Sequence, residues 1–278
     1  MDSKVRHAYQ YCEWITSRHY ENFPVASWLL PKPKRPFIAA IYAFARSADD
    51  FADEGKYQGR SLELLNGWRA ALRAPADHPI FIALNDAVVR CRLPVQLLED
   101  LLTAFTMDVT KKRYADWDEL MTYCRYSANP VGRLVLTVFD RREPDLFRLS
   151  DSICTGLQLA NHWQDLSIDL PEKDRLYVPQ DLMSRYGVTV EDLKRRTISA
   201  PVRSLMEELV RRSRAVFDEG EPLLDRVRGR LRLEMKLTLL GGRAILDRIE
   251  ASGYDVFRRR PVLSTGAKLK LLTHAFLS

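Results

Sequence analysis

Tyr42-Ala43-Phe44-Ala45-Arg46-Ser47-Ala48-Asp49-Asp50-Phe51-Ala52-Asp53 and, more than a hundred residues later, Gln158-Leu159-Ala160-Asn161-His162-Trp163-Gln164-Asp165-Leu166-Ser167-Ile168-Asp169 are two acidic segments in apolar surroundings. Each places two aspartates four residues apart, Asp49 with Asp53 and Asp165 with Asp169. On a helix such residues lie one above the other on one side. Unpaired, two like charges so placed cost a few tenths of a kcal/mol. A chain that does this twice amid apolar and aromatic flanks is expected to hold cations there. Gln158 and Asn161 extend the second polar stripe toward its N-terminal end. Hard oxygen donors suit Mg²⁺, which binds one or two carboxylates together with substrate phosphates. The expectation is a Mg²⁺-dependent diphosphate site between two helices, with solvated helix faces as the plain alternative.

Outward from these segments the pattern is helical nearly throughout. Apolar positions recur at helical spacing over residues 4–21. Pro36 opens the first aspartate helix, predicted over residues 36–53, and Gly55 follows its end. Residues 80–91 and 95–109 read as an antiparallel pair joined at Arg92-Leu93-Pro94. A long helix over 116–139, capped by Asp116, is expected to bend near Asn129-Pro130. The second aspartate helix is predicted over 145–169, closed by Leu170-Pro171, with a charged loop to Pro179. Further helices are expected from about residue 180 to 252, with a final apolar segment at 265–276. No sustained alternation marks a strand, and no P-loop, G-x-G-x-x-G or H-E-x-x-H occurs. The class is all-α, one domain over 1–278, its long inner helices surrounding a central cavity.

Composition narrows the function. Apolar residues make up 46% and charged residues 29%, ordinary for a globular chain. The net charge of +6 comes without a zinc-finger spacing or an RNP-like strand, so nucleic acid is not an expected partner. A basic surface suits small anions or an anionic membrane equally. Cys12, Cys91, Cys124 and Cys154 are scattered and read as reduced thiols of a cytoplasmic protein. The apolar C-terminal segment with Lys268 and Lys270 is a candidate membrane contact, packing on the core being the other use.

Ionisation is the chemistry these residues suggest. Metals neutralise a diphosphate leaving group, and the cation left behind needs a dry pocket of aromatic faces, for which Tyr42, Phe44, Phe51 and Trp163 are near enough in sequence. Arg46 is placed to meet a phosphate or to pair with Asp50. Arg175 and Tyr177 follow the second motif and are candidates to close over a diphosphate. His162, off the polar stripe, reads as a packed residue, and His19 with Glu21 as a polar cluster at a helix end.

Residues 42–53, the Gln158–Asp169 segment with Asp174-Arg175-Leu176-Tyr177-Val178-Pro179 after it, and Tyr123-Cys124-Arg125-Tyr126 with Val131-Gly132 resemble the squalene/phytoene synthase family over roughly residues 5–275. The resemblance implies an isoprenoid synthase α-fold. It implies about three Mg²⁺ bridged by substrate diphosphate and held by Asp49, Asp53, Asn161, Asp165 and Asp169. It further implies diphosphate contacts from Arg46, Gln158, Arg175 and Tyr177, a substrate contact from His19, and Tyr126 near the reacting carbons. Two departures stand out: His19-Tyr20-Glu21-Asn22-Phe23 where the family has Ser-x-Ser-Phe after the histidine, and Ser127-Ala128-Asn129-Pro130 where it continues Val-Ala-Gly. Both resemble the bacterial hopanoid-pathway branch, which converts presqualene diphosphate and water to hydroxysqualene without NADPH. Glu21 is then a candidate to position the quenching water. That branch implies coupling to a presqualene diphosphate synthase and a hydroxysqualene dehydroxylase. The alternatives are a synthase joining two prenyl diphosphates to presqualene diphosphate, squalene or phytoene, and a non-catalytic helical binding protein.

Overall fold

A computed structural model describes residues 2–18, 29–74 and 77–277. Its elements in chain order are α1 (Ser3–Arg18), α2 (Arg35–Asp53), α3 (Ser61–Arg73), α4 (Pro79–Cys91), α5 (Val95–Thr110), α6 (Trp117–Ser127) and α7 (Asn129–Val138). Then come α8 (Pro144–Lys173), α9 (Gln180–Arg185), α10 (Val190–Lys194), α11 (Ala200–Gly220), α12 (Leu223–Arg226), α13 (Gly229–Ala251) and α14 (Thr265–Leu277). A 3₁₀ turn spans Gly55–Tyr57. Among the described residues the only strand-like pairing is one parallel bridge, Arg113 to Leu176. The chain forms two compact units, Met1–Thr110 with Pro130–Phe147, and Lys111–Asn129 with Arg148–Ser278.

In the first unit α2 is the central element, packed by α1, α3, α4 and α5. Ile38, Ala39, Ala40, Ile41, Tyr42, Ala43 and Phe44 are all buried, so the helix is enclosed on every side over those two turns. The run of alanines lets neighbouring helices approach closely. Polar groups return only from Arg46 onward, which places the acidic segment at the helix's C-terminal half, partly exposed. The two helices expected over 80–91 and 95–109 are present as α4 and α5. Arg92 turns the chain at φ 50°, and Arg142 Nη2 donates to the Cys91 carbonyl (2.7 Å), satisfying one of the free carbonyls at the end of α4. Buried Glu99 of α5 accepts from Arg69 (2.5 Å) and Arg73 (2.7 Å) of α3.

In the second unit α8, α11 and α13 meet around Phe217, which is fully buried. Its ring lies against bare backbone: a Cβ at Gly242 of α13 would fall 2.3 Å from the ring, and one at Gly156 of α8 2.8 Å away. Trp163 of α8 is fully buried and donates its indole N–H to Ser213 of α11 (2.8 Å).

Two helix boundaries differ from the sequence expectation. The long helix over 116–139 is two helices: Ala128 ends α6, and Asn129 starts α7 with Pro130 next. Pro130 has no N–H for the carbonyl four residues back, so the ladder breaks there instead of bending. Asp116 caps α6 as expected, accepting from the Glu119 N–H (2.9 Å). Pro171, expected to close α8, lies inside it. It forfeits one backbone bond in the last turn, and the real stop is Asp174 at φ 51°, where the Arg175 N–H reaches back to the Asp169 carbonyl (3.1 Å).

Candidate active site

On α2, Arg46 bridges two acids. Its guanidinium lies 3.3 Å from Asp49 and 2.6 Å from Asp50, one helical turn away. The sequence left open whether Arg46 meets a phosphate or Asp50; in this state it pairs with Asp50 and touches Asp49. These side chains are 20 to 35% exposed, so such pairs contribute at most about 1 kcal/mol each. Their main effect is to orient Arg46 beside the Asp49/Asp53 row. Phe51 packs edge-on against Trp68 (5.3 Å) and Tyr57 (5.2 Å). Phe44 is fully buried against Trp68 and Phe81, a core residue of its unit.

On α8, Gln158, Asn161, Asp165 and Asp169 form the expected stripe, and because the helix runs to Lys173 its last acid lies within regular helix. The side-chain oxygen of Asn161 is buried with no hydrogen-bond partner. A buried acceptor left unmade costs about 1–3 kcal/mol, which marks a position awaiting a donor or a cation. Asp165 is held by a two-point fork from Arg260: Nε donates to one carboxylate oxygen, and Nη2 to the other at 3.0 Å. Lys173 lies 3.7 Å from Asp169. Arg260 also lines an open cleft of about 690 Å³ with Arg248, Asp255, Arg258 and Arg259.

The segment after α8 is pinned. The Leu176 N–H donates to the Lys112 carbonyl and the Gln180 N–H to the Tyr114 carbonyl, both 3.0 Å, while Arg113 grips Asp174 (2.6 Å). This holds Arg175 and Tyr177 buried, at 6% and 8% exposure, where the sequence left Arg175 between phosphate contact and solvent. Tyr177 stacks on His162 at 3.6 Å and on Tyr114 at 5.6 Å, with Tyr123 beside it at 5.4 Å. His162 is packed, as read from its place off the stripe. Burial, reinforced by the nearby Arg175 cation, pushes its pKa down to about 3. The imidazole is therefore neutral, and because the Gln158 amide donates to Nε2 (3.3 Å), its proton resides on Nδ1.

Several groups escaped the sequence reading. Arg260 counted only as part of a basic cluster; nothing local signals a partner 95 residues away. Tyr114 and Arg113 carry no motif of their own, and Tyr123 counted only as the first residue of the Tyr123–Tyr126 segment, with no ring contact expected of it. Tyr126 is half-buried under the Arg125 guanidinium (5.7 Å), while Tyr123, one turn earlier, is the α6 ring in the His162–Tyr177 stack. His19 and Glu21 lie outside the described residues.

Residues 16–267 match the profile of the squalene/phytoene synthase family. The chain belongs to that family. A hydroxysqualene synthase of Rhodopseudomonas palustris is 40% identical over 231 residues, 82% of this chain and 78% of the relative. A second, of Sinorhizobium fredii, is 37% identical, covering 91% of this chain and 86% of that protein. The crystal structure of squalene synthase HpnC from Alicyclobacillus acidocaldarius superposes with a TM-score of 0.86 at 39% identity, over 92% of this chain and 97% of that one. The chain is thus an enzyme of the squalene/phytoene synthase family with the all-α isoprenoid synthase fold.

The family uses divalent metal to ionise diphosphates, and the donor chemistry fits. Among the described residues no three His, Cys, Asp or Glu groups gather into a self-sufficient metal site. Each motif instead offers two carboxylates in one row, joined on α8 by the unsatisfied Asn161 oxygen. That sparse oxygen set is what Mg²⁺ takes when substrate phosphates complete its shell.

Proposed function

We propose that this enzyme is a hydroxysqualene synthase, converting presqualene diphosphate and water to hydroxysqualene and diphosphate. The observation that carries the reading is the α8 stripe: an unsatisfied Asn161 oxygen in line with Asp165 and Asp169, and a buried Arg175–Tyr177 pair pinned just beyond it. The product assignment leans on the 37–40% identity to proteins named hydroxysqualene synthase.

Residues 1–278 work as one catalytic domain in this reading. Asp49, Asp53, Asn161, Asp165 and Asp169 would hold Mg²⁺, about three ions when substrate is bound, and Mg²⁺ held there would supply charge neutralisation for a departing diphosphate. Arg46, Arg175 and Tyr177 donate to its outer oxygens, the charged donors giving the stronger bonds. Gln158, whose amide nitrogen lies 3.3 Å from His162 Nε2, is a further diphosphate contact in this reading. The C–O bond breaks with its electron pair on diphosphate. The cyclopropylcarbinyl cation rearranges, water adds to it, and a proton is lost. Tyr126 acts near the reacting carbons, His19 contacts substrate, and Glu21 positions the water. No NADPH takes part, because water rather than hydride closes the reaction. The partners are the enzyme that supplies presqualene diphosphate and the one that removes the hydroxyl.

Purified protein with Mg²⁺ and presqualene diphosphate, without NADPH, should release diphosphate and an alcohol. Product formed only from two farnesyl diphosphates would assign the chain to the condensing branch instead. Metal and diphosphate-analogue binding without turnover would make it a binding protein. Glu21→Ala with undiminished alcohol output would remove Glu21 from the mechanism.

A further inference from the structure

The net charge is unevenly placed. Residues 256–278 carry Arg258, Arg259, Arg260, Lys268 and Lys270 and no acid, five of the six net positive charges in the chain. The preceding 255 residues are close to neutral.

The same segment exposes apolar side chains. α14 packs on α13 and buries Ala275, with Leu263 buried just before it. That packing takes only one side of the helix. Leu269 is left 61% exposed and Phe276 58%, and Val262 is 39% exposed ahead of the first turn. Leu269 and Phe276 are seven residues apart, two turns, and so share a face. Lys268 and Lys270 immediately flank Leu269 and project about 100° to either side of it. Arg258 and Arg259 are exposed, and the cleft they line continues through Val262 and Ser264 into the start of α14. Among the described residues no helix is long and apolar enough to cross a membrane. A leucine and a phenylalanine on one helix face, bordered by cations that outnumber the one acid of the adjoining cleft, Asp255, match an element that lies in a bilayer interface and prefers anionic lipid.

We infer that the exposed face of α14, with Val262 and the Arg258–Arg259 cations, is a docking surface for an anionic lipid bilayer. Leu269 and Phe276 enter the headgroup layer, and the exposed cations Arg258, Arg259 and Lys270 meet lipid phosphates. The inference rests on surface chemistry and is independent of which reaction the enzyme performs.

The test is co-sedimentation of the full chain with vesicles of equal phosphatidylglycerol and phosphatidylcholine, and with phosphatidylcholine alone. Wild type should bind the anionic vesicles, weaken steeply as salt rises, and bind neutral vesicles poorly. Arg259→Gln with Lys270→Gln should weaken anionic partition about twenty-five-fold, roughly five-fold per cation. Leu269→Ser with Phe276→Ser should weaken it at least about tenfold. Both pairs are at the surface, and melting temperature and circular dichroism confirm that each variant is folded; the charge pair tests the inference if the apolar pair does not fold. Wild type failing to sediment with anionic vesicles, or binding unchanged in the folded variants, overturns the inference. A concentration-dependent dimer abolished by Leu269→Ser with Phe276→Ser, with no vesicle binding, overturns it in favour of a second copy of the chain.

Discussion

His162 should make this protein acid-labile by a calculable amount. Burial and the nearby Arg175 push its pKa from the ordinary 6.5 down to about 3. Between those values the unfolded chain binds a proton that the folded chain refuses, so stability falls as pH drops from about 6.5 toward 3. The loss is about 1.4 kcal/mol per pH unit in that window. At pH 5 it reaches about 2 kcal/mol, a large share of the 5–15 kcal/mol that is typical of folded proteins. The measurement is urea unfolding of wild type and His162→Gln at pH 7.5 and pH 5. Glutamine keeps a side-chain acceptor for Gln158 but does not titrate. Removing the ring also loses the Tyr177 stacking at both pH values, so the informative quantity is the difference between the two differences. Wild type should lose about 2 kcal/mol more than the variant on acidification, a shift of about 1 M in urea midpoint at a slope near 2 kcal/mol/M. Equal losses in both proteins would refute the reasoning and mean that the imidazole reaches solvent or a carboxylate.

Other perturbations follow from the geometry. Gly242→Ala drives a methyl into the Phe217 ring and should destabilise by about 1–3 kcal/mol or more in thermal melts, and Phe217→Leu in the same chain should recover part of that loss. Glu99→Gln leaves Arg69 and Arg73 without their carboxylate and should cost about 2 kcal/mol in denaturant unfolding, less than a fully buried pair because Arg73 is 67% exposed. Asn161→Leu fills the unsatisfied position with a methyl group. It should reduce turnover of presqualene diphosphate by at least the roughly hundredfold that losing a mere supporting group can cost a metal site, while raising the melting temperature or leaving it unchanged, because the unsatisfied oxygen is gone.

Much of the fold was readable because helix formation is local. The apolar period of α2, Pro36 at its start, the Asp116 cap and the α4–α5 turn depend on residues within a few positions of one another, and all are present. The four-residue aspartate spacing likewise guarantees a shared helix face wherever the helix forms. Pro171 shows where local reasoning ends. Its missing N–H argues for a stop, but the cost falls in the last turn, and the tie from Leu176 to Lys112 holds the chain beyond it.

The acidic rows, their oxygen chemistry and the all-α class thus belong to the sequence itself. What surrounds those rows belongs to the tertiary structure. No periodicity announces that Arg260 will fork onto Asp165, or that Tyr114 and Tyr123 will stack with Tyr177 over His162. Nor does anything local say that packing on α13 will leave Leu269 and Phe276 facing outward. A helix repeats every 3.6 residues whatever it packs against. Which side chain completes a charged or aromatic contact across 50 or 100 residues is decided by packing of whole elements, and only there do the Asp165 counter-ion, the low His162 pKa and the exposed face of α14 come into being.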